Sequence, residues 1–108
     1  MILLEFEDWV RQRKKLVEGA GYECEIEKVI WEDSSGVRVH FDSDMIMSRL
    51  TVWDTSECHQ IVIDAETEAI LYVEDKHFEP SVDFDTEFCR FFNIMRIAPG
   101  RGGQTSGM

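Results

Sequence analysis

The chain has no long apolar run. Met1–Leu4 gives way at once to Glu5, Glu7 and Asp8, and nothing later approaches the ~20 residues that a membrane helix needs. The same three acids stand where a secretory leader carries basic residues and then an apolar stretch, so the expected location is the cytoplasm. Cysteine is sparse. Cys24, Cys58 and Cys89 are widely spaced, and the absence of any CxxC pair argues against zinc or redox chemistry. Each thiol reads as a small buried hydrophobe in a reducing compartment. The only glycine-rich stretch is the tail, which precedes no helix, and there is neither a phosphate-cradling loop nor a GxSxG elbow. A nucleophile needs a base beside it, yet adjacent Cys58 and His59 on a strand point to opposite faces.

Basic residues are outnumbered two to one by acids. Twenty-two acids oppose eleven bases for a net charge of −11, and between Gly21 and Arg90 eighteen acids face only five bases. Nucleic acid and anionic membranes are poor partners for such a surface. A basic protein is a good one, because complementary fields speed and select association; acidity also simply keeps a protein soluble. Metal sites are weakly indicated. Asp42-Ser43-Asp44 and Asp83-Phe84-Asp85 space carboxylates as calcium loops do, but neither continues into the required glycine and distal Glu. His40 and Asp42 share a strand face, and two ligands do not make a site. No metal and no cofactor are expected.

What is present is a core-forming pattern, 44% hydrophobic in 108 residues. Leu3, Phe6, Trp9, Val10, Leu16, Val17 and Ala20 recur at helical spacing, with acids early and bases late along the helix, and Gly19 or Gly21 ends it. Alternation then predicts strands at Tyr22–Trp31, at Val37–Asp42 after the turn Asp33–Gly36, at Arg49–Trp53, at Cys58–Asp64 with Ile61 and Ile63 on one face, and at Ala69–Glu74. A second helix is expected over Asp83–Arg96, preceded by Pro80 and Ser81 and striped with Phe84, Phe88, Phe91, Phe92 and Met95.

The predicted architecture is therefore α+β: a five-stranded antiparallel meander sheet with an N-terminal and a C-terminal helix on one face. Residues 1–97 form a single domain, and 98–108 a disordered glycine-rich tail. The uncovered face is charged and is the place to look for function. Glu23, Glu25 and Glu27 make a carboxylate row there. It reads as a solvated face, as an edge protected by charge, or as a landing strip for a partner's Arg and Lys. Trp53, pointing with Arg49 and Thr51 to the charged side, is either an interface anchor or a ring covering the sheet.

The stretch from Asp42 through Ser48-Arg49-Leu50-Thr51-Val52-Trp53-Asp54 resembles the "GRITVWESG" centre of bacterial immunity proteins of the TriTu type. Glu57–Thr67 is similar to the strand and "D-x-E-(T/S)-G" turn that follow it, and the opening helix ending in Gly-Tyr-Glu-Cys and the closing aromatic helix are similar too. The likeness spans about residues 3 to 96, and departs at Ser48 and Glu68, where glycine is expected, and in the tail. The resemblance implies an antidote that binds a cognate toxin domain of a contact-dependent or type VI effector. For this type the toxin is an ADP-ribosyltransferase acting on elongation factor Tu. Together with the charge, it makes Asp42, Asp44, Arg49, Trp53, Asp54 and Glu57 the expected interface, with Glu23, Glu25 and Glu27 as a second patch facing a basic cleft. The alternatives are a small hydrolase reversing the toxin's modification, built on carboxylates clustered with His40, and a non-enzymatic adaptor.

Overall fold

The computed structural model describes residues 2–79 and 83–95. Met1, Pro80, Ser81, Val82 and everything from residue 96 on, including the expected tail, lie outside the described residues. The chain runs α1 (Ile2–Gly19), β1 (Glu23–Trp31), β2 (Ser34–Asp42), β3 (Ile46–Trp53), β4 (Glu57–Asp64), β5 (Ile70–His77), α2 (Phe84–Glu87) and α3 (Cys89–Met95). Its five strands pair in sequence order, every pair antiparallel. The meander follows from the short turns, which leave no room for a crossover.

Helix α1 buries Phe6, Trp9, Val10 and Val17, while Leu16 and Ala20 at the border of the stripe stay exposed. Its end is a Schellman motif. Tyr22 N donates to Val17 O at 3.2 Å and Gly21 N to Glu18 O at 3.0 Å, and Gly21 takes the left-handed φ of 97°. The buried Tyr22 then donates its hydroxyl to Met95 O at 2.9 Å, tying the start of the sheet to the end of the last helix.

The second helix is broken where an unbroken one is expected. Phe88, at φ −102° and ψ 15°, separates α2 from α3. Its fully buried ring is held among Phe6, Trp9, Phe78 and Phe84, and tertiary contact of that extent overrides helix propensity. Asp83 caps α2, accepting from Asp85 N at 3.1 Å. Strand β5 extends three residues beyond expectation, to His77, because Asp75 and Lys76 find partners across the sheet and on α2.

The structure fixes the phase of β4, which alternation left open. Ile61 and Ile63 share a face, but it is the outer one, and Cys58, Gln60 and Val62 point into the core. Burial pushes the Cys58 thiol up to about 12, so it is protonated and inert. Ser48, also on the core side, donates its hydroxyl to Phe41 O at 2.6 Å, which is how a hydroxyl is accommodated in the place of a glycine. Gln60 is fully buried and neither amide atom finds a partner among the described residues.

Two stability measurements follow. By urea denaturation, Gly21→Ala should cost about 1–2 kcal/mol through its left-handed backbone, whereas Gly19→Ala, in helical backbone with open space around it, should gain up to about 1 kcal/mol. Gln60→Leu should raise stability by about 1–2 kcal/mol by removing an unsatisfied buried amide, and a loss of stability would mean that the amide has a partner.

Candidate functional site

With both helical segments on one side, the outer face of the sheet is uncovered, and the strand register lays out its side chains in columns. Strand β1 supplies an acidic column, Glu23, Glu25 and Glu27, all exposed. The next columns are mixed. Arg38, His40 and Asp42 come from β2, and Met47, Arg49, Thr51 and Trp53 from β3. On β4 and β5 the face turns apolar, with Ile61 and Ile63 half-buried and Val73 51% exposed beside them. Ile70 stands opposite Ile63, and a one-residue irregularity places Leu71 next to it, also exposed.

Part of the charge of the face is matched across strands. Glu27 meets His40 Nε2 at 3.0 Å and Arg38 at 3.7 Å. The hydrogen bond from His40 holds the Glu27 carboxyl below its ordinary value, with the Arg38 charge adding to the effect. The stabilisation from this contact is therefore present above the ordinary carboxyl range and is lost as pH falls through the lowered value. His59 Nδ1 lies 2.6 Å from Asp75. Arg49 sits between His40 and Ile61, with Met47 and Thr51 beyond it along the strand, and makes no ion pair among the described residues.

Three open depressions mark the face. One of about 410 Å³ is lined by His40, Asp42, Met47, Arg49, Ile61 and Ile63. A second, about 270 Å³, gathers Glu23, Asp42 and Asp44 at the β1–β2 end of the sheet. A third, about 360 Å³, is lined by Trp53, Glu57, His59, Asp75 and His77. The expected site residues are thus divided. Asp42, Asp44, Arg49 and Glu23 come together around the first two depressions, and Trp53 and Glu57 around the third. Glu25 stands in its column without an ion pair among the described residues. Asp54 is turned to a local task, since its Oδ2 accepts from Ser35 N at 3.0 Å and clasps the β1–β2 turn. Among the described residues no group of three or more His, Cys, Asp or Glu side chains is arranged to hold a metal.

Alternation alone missed Met47, Ile61, Ile63 and Val73 as outer-face residues. Gln60 pointed the wrong way, since an amide reads as outward; the available signal was Cys58 and Val62, which share its phase and are both apolar. Trp53 does not project freely either. Its ring lies over Gly36, where an added Cβ would meet ring carbon Cε3 at 2.8 Å. The glycine lets the indole lie flat on the sheet, so Trp53 covers backbone and still shows one face.

A double-mutant cycle tests this pairing. Gly36→Ala should cost about 1–3 kcal/mol by urea denaturation, and much less in a Trp53→Ala background, where the ring is gone; equal costs in both backgrounds would contradict the contact.

No curated protein sequence matches the chain. The family model described as immunity protein TriTu matches residues 4–94, nearly all of the folded part, and the chain belongs to that immunity-protein family.

Proposed function

We propose that this protein neutralises its cognate toxin by binding it directly, with the outer face of the sheet seated over the toxin's active site. The observation that carries the reading is that face itself. The described residues leave one whole side of a five-stranded sheet without a helix, and on it place Met47, Ile61, Ile63 and Val73 together, with a half-buried Trp53 farther along β3 beyond the row Thr51–His59–Asp75. An apolar field rimmed by charge is the usual anatomy of a protein interface. Membership of the immunity-protein family supports a protein partner, a toxin, and a role without catalysis.

The finer parts of the proposal rest on the resemblance and on charge. The toxin is an ADP-ribosyltransferase domain of a contact-dependent or type VI effector, met in the cytoplasm. Its cleft is basic where it faces the acidic edge, Glu23, Glu25, Asp42 and Asp44, and the net charge of −11 steers the encounter. Trp53 and Glu57 extend the contact along the third depression, and Asp54 contributes by holding the turn behind them.

One observation favours a second reading, an enzyme that reverses the modification. Thr51, His59 and Asp75 stand in a single row across β3, β4 and β5, with His59 already on Asp75. The row lacks an available nucleophile, because Thr51 is only 4% exposed and no hydrogen bond joins it to His59. His40 and Asp42 line an open depression with two isoleucines, not a cleft of carboxylates.

Co-expression with the cognate toxin domain, followed by affinity purification and a growth assay, separates these readings. The proposal predicts growth rescue and a stable one-to-one complex whose affinity falls tenfold or more between about 0.05 and 0.5 M salt. Rescue without a complex would favour the enzyme, and neither rescue nor complex would contradict both.

A further inference from the structure

Arg49 is the anomaly of the outer face. The chain carries twice as many acids as bases, so an arginine without a carboxylate runs against its composition. Yet Glu27 is occupied by His40 and Arg38, and Asp75 by His59, while among the described residues no acid stands within ion-pair distance of the Arg49 guanidinium, whose charge reaches Glu27 only from farther away. Its cross-strand neighbours are His40 and Ile61, and its neighbours along the same face of β3 are Met47 and Thr51. The side chain is half-buried and shares a depression of about 410 Å³ with Met47, Ile61 and Ile63 on one side and with His40 and Asp42 on the other, the Asp42 carboxylate lying outside ion-pair distance. Arginine at the centre of a partly desolvated apolar field is a typical interface hot spot, because its planar fork takes a carboxylate with two hydrogen bonds. Coulomb attraction also strengthens once a partner excludes the water around it.

Resting on the toxin-binding reading above, we infer that Arg49 is the central anchor of the interface, receiving a carboxylate side chain that the toxin presents from within an apolar surface. The partner face is therefore two-signed: basic opposite the β1 acids, acidic opposite Arg49 and His40, and apolar opposite Met47, Ile61, Ile63 and Val73. A uniformly basic cleft does not satisfy this layout, since it would press like charge onto Arg49.

The test uses the whole chain and a catalytically inactive toxin domain, with affinities measured by calorimetry at about 0.15 M salt. Arg49→Glu should weaken binding by about 100-fold or more, and Arg49→Lys by about tenfold, because lysine keeps the charge and loses the fork. Arg49 belongs to no ion pair among the described residues, so both variants should melt close to the parent. Among Asp→Lys and Glu→Lys variants of the toxin surface, one should restore binding to Arg49→Glu and to no other variant of this chain. Binding of Arg49→Glu within threefold of the parent, or failure of every toxin charge reversal to restore it, would overturn the inference while leaving toxin binding intact. No complex with the parent chain would overturn toxin binding itself, and the Arg49 anchor with it.

Discussion

The joint between α1 and the last two helices is what the rest of the molecule depends on. Trp9 lies 5.3 Å from Phe88, 5.6 Å from Phe92 and 5.7 Å from Phe84 between ring centroids, and Phe6 joins the same cluster. Trp9 Nε1 donates to Asp85 Oδ1 at 3.1 Å, while Arg13 grips both oxygens of Asp85 at 2.8 and 2.9 Å and stacks over the Trp9 ring. Two distant ends of the chain are thereby fastened into one lid. A sheet of this size needs only one covered face to be stable, and an aromatic lid buries large area per residue.

That economy leaves the opposite face free of folding duties. Its side chains are held by the pleat at fixed spacing, and strand pairing rather than a core decides which residues become neighbours. The result is a surface that changes character across the sheet, from acids on β1 through cations at the centre to aliphatic residues on β4 and β5. Such zoning distinguishes partners better than uniform charge does, because a wrong partner meets like charge or a desolvated polar group somewhere on the face. In the proposed complex the edge acids and the net charge would set the rate of encounter, and the central field the lifetime.

Much of this was legible in the amino-acid order. Strict alternation in Glu23–Glu27 and Val37–Asp42 placed β1 and β2, and the apolar spacing of Phe6, Trp9, Val10 and Val17 placed α1. Gly21 was one of two candidates for the cap, and only geometry distinguished it from Gly19. The residues that stayed hidden share one cause: their roles depend on neighbours far along the chain. An Ile-Val-Ile run reads equally well in either phase, so only the partners across β3 reveal that Ile61 and Ile63 point outward. The break at Phe88 comes from rings contributed by α1 and the β5 end. Glu68 holds a φ of 63° in a turn where glycine would be unstrained, because Asp64 fixes the loop by accepting from Glu66 N and Thr67 N. Of the expected interface residues, Asp42 and Arg49 gained meaning from the structure, Asp54 acquired a structural task, and Trp53 proved to be both a cover for Gly36 and a half-exposed surface.

The central claim is that one face of the sheet, not the helical side, meets the toxin. Hydroxyl-radical footprinting of side chains with and without the toxin domain tests it most directly, because it reports side chains rather than backbone. Met47, Ile61 and Val73 should lose most of their oxidation in the complex, while Leu4 and Leu16 on α1 keep theirs. Protection of Leu4 and Leu16 with Met47 unchanged would place the toxin on the other side of the molecule and contradict the account.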